Sequence, residues 1–362
     1  MPANTGRPDH QMTVQPLSEI CILRLSALGD VCHAVAAVQA IQQHHPQATI
    51  TWIIGKIEHK LLEGLPGVRF IVFDKSLGKA AYRQLKQDLN HQRFDVLLHM
   101  QVALRANLAA RIIKAKRKIG YDWHRAKELH TLFTNERIKA QTQAHVLESF
   151  FAFAEKIGVP ETAKHRLSWD IPVSDADQAF AQSHIPSAQK ILIIAAAASK
   201  AERNWTIEGY AAIADYASTK GFSVMLCGGP NKQEEELALA IQQQAQRPLT
   251  NLCGKTTLKQ MLALLKAATL VIAPDTGPAH MAVTQGTPVI GLYAHSNPKR
   301  TGPYLYQDYV VEVYHAALLK QFHKTDQQLP WGTRVKGKQL MQGIRLAAVI
   351  EQFDRICSDF KL

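Results

Sequence analysis

The chain has 362 residues, 46% of them hydrophobic, and a formal net charge of +12. That length fits two domains of ordinary size with real cores, and the longest aliphatic run, residues 191–198, is far short of the roughly 20 residues that a membrane-spanning helix needs. The five cysteines are scattered without C-x-x-C spacing, which argues against a disulfide scaffold or a zinc site and fits a reducing compartment.

Residues 1–17 are polar, carry Pro2, Pro8 and Pro16 and lack the apolar centre of a secretory signal, so a flexible tail is expected there. A strand over 20–25 leads into the turn Ser26-Ala27-Leu28-Gly29-Asp30 and then a helix over 31–43, where Val31, Val35, Val38 and Ile41 recur at helical spacing. Strands follow at 49–54 and 69–73, a helix at 80–90 and a strand at 94–99. A helix over 102–116 is expected to carry the basic block of Arg105, Arg111, Lys114 and Lys116, and another helix over 143–158 ends at Gly158 and Pro160. The stretch 161–189 is polar and less periodic, and reads as a linker.

The pattern then restarts. A strand over 190–196, a helix over 206–219, a strand over 223–227, helices over 233–244 and 258–267 and a strand over 268–273 lead to Asp275-Thr276-Gly277-Pro278-Ala279-His280. A last helix over 338–357 has no strand after it and is expected to pack back on the first domain. Alternating strands and helices in both halves predict an α/β protein with two doubly wound domains, 18–165 and 190–337, facing across a cleft. The intervening 166–189 is the linker.

The chemistry gathers at strand-to-helix turns, where open α/β sheets bind ligands. Pro278 suits a first helical position, because its missing N–H has no partner there anyway. The free N–H groups of that helix start favour a phosphate, and Asp275 and His280 add groups able to hold a sugar. Asp30, the one acid in the first β–α turn, reads as a general base or as a helix cap. In the turn 198–205, Lys200 and Arg203 can reach a phosphate, Arg as a fork and Lys as a point charge. The turn Gly228-Gly229-Pro230-Asn231 precedes Glu234 and Glu235, placed as a ribose-binding acid would be. Asp175-Ala176-Asp177 has a metal-site D-x-D form but opens a helix in the linker, so its acids are expected to serve that helix start. No G-x-x-x-x-G-K-[ST] or G-x-G-x-x-G occurs. The charge excess is larger in the first half, 21 basic against 13 acidic residues over 18–165, and suits an anionic partner. The basic block lacks interleaved aromatics, so nucleic acid is not expected.

Three ordered motifs resemble glycosyltransferase family 9, the ADP-heptose:lipopolysaccharide heptosyltransferases, and the heptosyltransferase I type in particular. They are Ser26-Ala27-Leu28-Gly29-Asp30-Val31 with His33, Arg203-Asn204-Trp205, and Asp275 to His280 followed by Gly286-Thr287-Pro288. The resemblance covers about residues 18–300 and implies a GT-B fold of two Rossmann-like domains. It further implies an inverting, metal-independent transfer without a cofactor, from an ADP-heptose-like donor to the Kdo–lipid A region of lipopolysaccharide. It makes Asp30 the base and gives the donor to Ser199, Lys200, Arg203, Glu234, Thr256, Asp275, Thr276, Gly277 and His280. It gives the anionic acceptor to His33, Arg105 and Arg125, and a peripheral position on the cytoplasmic face of a Gram-negative inner membrane. Three departures stand out: Ala195 to Ala198 where hydroxyl residues often hold phosphate, Ala294-His295-Ser296 in place of Gly-Pro-Thr, and an unmatched segment 304–337. They leave room for another nucleotide sugar. The charge alone also admits a non-catalytic polyanion-binding protein.

Overall fold

The computed structural model describes residues 17–186 and 189–362, so most of the expected tail lies outside the described residues. The first lobe is built from strands β1 (Glu19–Leu23), β2 (Thr49–Gly55), β3 (Val68–Phe73), β4 (Phe94–His99), β5 (Ala115–Gly120) and β6 (Glu136–Arg137). Its helices are α1 (Leu28–His44), α2 (Lys56–Leu62), α3 (Lys79–Asp88), α4 (Leu104–Ile112) and α5 (Val146–Lys156), and α6 (Asp175–His184) lies in the connection to the second lobe. The second lobe holds β7 (Lys190–Ile194), β8 (Phe222–Leu226), β9 (Thr250–Asn251), β10 (Leu270–Pro274), β11 (Val289–Tyr293) and β12 (Val311–Glu312). With them run α7 (Ile207–Thr219), α8 (Lys232–Gln244), α9 (Leu258–Ala267), α10 (Gly277–Thr284), α11 (Pro298–Thr301), α12 (Tyr314–Phe322) and α13 (Leu346–Asp359).

Both sheets are parallel and share one topology. The first runs β3-β2-β1-β4-β5-β6 and the second β12-β11-β10-β7-β8-β9. Each is the doubly wound order whose direction reverses beside the first strand, and the crevice at that reversal is where such sheets bind ligands. In the first lobe the reversal lies between β1 and β4, which pair Leu23 with His99. In the second it lies between β7 and β10, which pair Ile194 with Ile272. The central strands are continuous apolar runs because helices cover both faces of each sheet.

The lobes are joined through apolar packing. α1 is buried along most of its length, since one side meets the sheet and α5 while the other meets α10. Val31 and Val35 therefore belong to the same buried cluster as Ala279, Met281 and Ala282.

Four expectations are corrected. The helix over 102–116 stops at Ile112, and the basic residues Lys116, Arg117 and Lys118 lie in β5. There Lys116 pairs with Asp95 at 2.8 Å and Arg117 with Glu136 at 2.6 Å, so local ion pairs let a polar sequence sit in a strand. The linker is structured: Trp169 Nε1 donates to the Cys32 carbonyl at 2.9 Å and Gln39 Nε2 to Asp170 at 3.0 Å. Its α6 packs on α9; Ser174 caps it, with Asp175 and Asp177 in the first turn. The last helix packs on the second lobe, where Val349, Phe353 and Ile356 complete the buried cluster of Leu192, Tyr210 and Phe222. Leu17, assigned to the tail, is buried in the first core.

Candidate active site

Asp30 sits in the first turn of α1 and is about one-third exposed. One carboxylate oxygen accepts the Ala27 N–H at 3.2 Å and forms an ion pair with Arg24. Arg24 leaves the end of β1, donates from Nη1 to the Met100 carbonyl at 2.6 Å and lies 5.2 Å from the Phe150 ring centre. Its Nε is buried without a partner. The base candidate is thus oriented by the Arg24 cation.

Across the cleft, β10 ends at Pro274 and delivers Asp275 to the reversal point. Ser296 donates its hydroxyl to Asp275 Oδ2 at 2.6 Å, Arg203 Nη1 lies 3.7 Å from the same oxygen, and His280 Nε2 lies 3.9 Å from Oδ1. Burial pulls the Asp275 carboxyl upward, but His280, Ser296 and Arg203 outweigh it and hold it below the usual carboxylate range. Thr276 does not cap α10; its hydroxyl donates to the Ala197 carbonyl at 3.2 Å. The helix start is therefore left without a side-chain acceptor, and an anion is the natural complement. The Arg203 side chain is 12% exposed and its Nε has no partner, as expected of a guanidinium shaped around a ligand. Ser199 and Lys200 are exposed beside it.

The two turns meet. A Cβ on Gly29 would collide with the His280 ring, and one on Gly277 would stand 3.3 Å from Leu28. Glycine is required at 29 by this approach, not by its own backbone angles. His280 packs against His33 at 4.6 Å between ring centres, and His33 against His145 at 5.1 Å.

Other expected site residues are placed less simply. His33 is 3% exposed within this histidine stack, so its assignment to the acceptor is corrected: it packs the lobes together. Burial, then His280, His145 and Arg24, push its imidazole well below the usual range. Arg125, expected at the acceptor, is engaged by Asp122, by Gln141 at 3.0 Å and by Ser149 at 2.8 Å, which makes it a strut in the first lobe. Arg105 is exposed at the start of α4. Glu234 folds back onto the Gly229 N–H and Asn231, so its carboxylate is already occupied by the turn it was expected to extend from. Thr256 is half-buried just before the Thr257 cap of α9.

Sequence reading passed over Arg24, Ser296, Arg300 and Arg334. The Ala294-His295-Ser296 departure has a clear use: Ser296 holds Asp275, and His295 bridges the Glu202 carbonyl at 2.9 Å and the Val335 carbonyl at 3.0 Å. Residues 330–335 thereby form a strap across the cleft. Trp331 Nε1 donates to the Ala144 carbonyl of the first lobe at 2.9 Å, and Tyr314 to the Thr333 carbonyl at 2.9 Å. Arg300 runs beside Gly332. Partial burial and the like charge of Arg203 hold the Arg334 guanidinium below its ordinary range, with Arg300 adding to the effect and Asp275 and Asp30 opposing it. Neither Arg300 nor Arg334 has an acid partner within ion-pair distance among the described residues. No group of three or more potential metal ligands is found among the described residues.

A carboxylate on one lobe faces an arginine and an uncapped helix start on the other. The model of glycosyltransferase family 9 (heptosyltransferase) matches residues 82–331. The chain belongs to this family. It is accordingly a glycosyltransferase, with the two-lobed GT-B architecture. The lipopolysaccharide core heptosyltransferase OpsX of Haemophilus influenzae is 46% identical over 337 residues, spanning 93% of this chain and 96% of the relative. Lipopolysaccharide heptosyltransferase 1 of Escherichia coli is 22% identical over 303 residues, 79% of this chain and 90% of the relative. Among solved family 9 structures, the E. coli heptosyltransferase WaaC with ADP superposes with a TM-score of 0.71 at 21% identity, covering 93% of this chain and 99% of that one. The E. coli ADP-heptose lps heptosyltransferase II superposes with a TM-score of 0.70 at 20% identity, covering 95% and 100%.

Proposed function

We propose that the protein transfers a heptose from ADP-heptose to the Kdo–lipid A region of a lipopolysaccharide precursor, with inversion and without a metal, at the cytoplasmic face of the inner membrane. The observation that carries this reading is the apposition of Asp30 to the Asp275–His280 turn through the Gly29–His280 contact. In this reading the donor sugar lies beside this contact, within reach of both turns. Its diphosphate meets Arg203 and the α10 N-terminus, and its open face meets the acceptor. The relative named OpsX, 46% identical over nearly the whole chain, supports the heptose and the lipopolysaccharide core.

In this reading the acceptor hydroxyl gives its proton to Asp30 while the anomeric C–O bond to the diphosphate breaks on the opposite face. The transition state has oxocarbenium character, as in glycoside hydrolysis. Negative charge grows on the leaving ADP, and Arg203, Lys200 and the α10 N–H groups stabilise it in place. On the acceptor side Arg334 of the strap and Arg300 beside it meet the acceptor's carboxylates or phosphates. No described helix is long and apolar enough to cross a membrane, so membrane contact in this reading is peripheral.

The test is product analysis. Purified protein, ADP-heptose and Kdo–lipid A are incubated with and without a chelator. The expected product carries one heptose, has the inverted anomeric configuration and forms equally in both. No heptosylated product, or use of another nucleotide sugar in preference, rejects the reading.

A further inference from the structure

We propose that the face formed by α4 and the loop 121–133 docks on the anionic surface of a lipid bilayer. The proposal deepens the peripheral location above by naming the surface that makes contact. Thirteen large hydrophobic side chains are exposed among the described residues, and five of them lie between 104 and 132. They are Leu104 (50%), Leu108 (41%), Trp123 (68%), Leu129 (64%) and Leu132 (74%). Leu104 and Leu108 stand one helical turn apart on the open side of α4. The loop is fastened directly over that helix: the Leu104 N–H donates to the Glu128 carboxylate, Asn107 Nδ2 to the Glu128 carbonyl at 2.6 Å, and Asn107 also meets His130 at 3.1 Å. Trp123 carries the Arg137 guanidinium over its ring at 3.8 Å, and exposed apolar side chains gathered on one helix and the loop fastened to it mark an interaction surface.

The backbone is arranged to present it. Glu128 and Leu129 are successive non-glycine residues with positive φ, 52° and 62°. That conformation is disfavoured for both, and the Asn107 bonds hold it. Its result is a leucine turned to solvent instead of the core.

The charge around the patch selects the partner. Residues 104–137 contain nine basic and three acidic residues. The acids are largely spoken for, Asp122 by Arg125 and Glu136 by Arg117. Arg105, Arg111, Lys114 and Lys127 have no acid partner within ion-pair distance among the described residues. A shallow basin of about 250 Å³ next to the patch is lined by Arg111 and Lys118 together with Leu132, so cation and leucine share one depression. Exposed leucines and an indole ringed by unpaired lysines and arginines suit the boundary between acidic headgroups and acyl chains.

The experiment is co-sedimentation of the full chain with vesicles of three parts phosphatidylcholine to one part phosphatidylglycerol, and with vesicles of phosphatidylcholine alone. The wild type is expected to sediment with the first and far less with the second. The pair Leu129→Ser and Leu132→Ser should weaken vesicle binding by at least about ten-fold. The pair Arg111→Gln and Lys114→Gln should remove most of the preference for phosphatidylglycerol. Both variants should keep the wild-type melting temperature, which separates a lost surface from a lost fold. Equal sedimentation of all three proteins, or equal binding to both vesicle types, overturns the proposal. So does concentration-dependent dimerisation of the wild type in analytical ultracentrifugation that the leucine variant abolishes without any vesicle binding, which assigns the face to a second copy of the chain. The assay involves no sugar transfer, so failure of the transferase reading leaves its outcome intact.

Discussion

Asp30 is positioned by two contacts of different kinds, a backbone N–H and the Arg24 guanidinium. In the proposed reaction they hold the carboxylate where it takes the acceptor's proton. Asp30→Asn keeps the shape and removes the proton acceptor. The turnover rate should drop about 10²–10⁴-fold, the usual contribution of a positioned general base. ADP affinity, measured by calorimetry, should be unchanged. Wild-type turnover in the variant would remove Asp30 from the chemistry.

In the proposed reaction Arg203 serves the leaving group instead. Its Nε is buried and unpartnered, and its Nη1 lies 3.7 Å from Asp275. A lost hydrogen bond to a charged group costs about 1.5–3 kcal/mol. Arg203→Ala should therefore raise the ADP dissociation constant by about 10–100-fold. Asp275 keeps Ser296 and His280 as partners, so the turn itself should stand. Unaltered ADP binding would mean that the α10 N-terminus carries the diphosphate alone.

Among the elements, the meeting of α1, α5 and α10 has a pH dependence built into it. The Leu147 N–H donates to His145 Nδ1 at 3.1 Å, and His145 Nε2 donates to the Gly302 carbonyl at 3.0 Å. Both ring nitrogens are thus satisfied in the neutral form. Burial lowers the His145 pKa to about 3; the bond to Gly302 opposes this, and His280 and Arg300 add to it. In the unfolded chain the same imidazole takes a proton near pH 6.5. Protonation below that value therefore favours the unfolded state. The contribution is complete above about pH 6.5 and declines as the pH falls toward 3, by up to about 1.4 kcal/mol per unit. His33, also held well below its usual range, acts in the same direction. The melting temperature should fall between pH 7 and 5, and His145→Gln should flatten that fall. Parallel melting curves for wild type and variant would show that the histidine stack does not govern acid stability.

The helix–sheet elements also show what the sequence discloses. Where an apolar period and a glycine or proline boundary coincide, as in β1–α1 and β10–α10, the elements and the turns between them were readable. The placement of Asp30, Arg203 and Asp275 at the crevice was readable too, because residues at the carboxyl ends of parallel strands converge whatever the rest of the chain does. β5 was hidden because its basic residues owe their place to Asp95 and Glu136, which are remote in sequence. The side on which α13 packs was hidden for a similar reason: an amphipathic stripe fixes that a face is buried, not against which neighbour. Glu234, Arg125 and His33 looked free or exposed as single letters. Their occupancy is set by Gly229, by Asp122 and Gln141, and by His280.

On the scale of the molecule, the two lobes are joined by an apolar seam of α1 on α10 and by the strap 330–335. The strap is rooted in the second lobe through His295 and Tyr314, yet touches the first through Trp331. It lies in the segment 304–337 that carried no recognised motif, although the family model extends through residue 331, and it supplies Arg334 while flanking Arg300. In the proposed reaction Arg203 already serves the diphosphate, so two cations without acid partners among the described residues are best matched by the charge of the acceptor. Exchanging both for alanine should then raise the acceptor KM by about ten-fold or more, a cost of about 1.4 kcal/mol or above, with ADP affinity kept. A rise in the ADP dissociation constant at constant acceptor KM would assign the pair to the leaving group. The Trp331→Phe variant gives the control. It keeps an aromatic ring but removes the indole N–H that reaches Ala144, and if the strap must bridge the lobes to place Arg334 and Arg300, acceptor KM should rise in this variant too, although no charge has been lost.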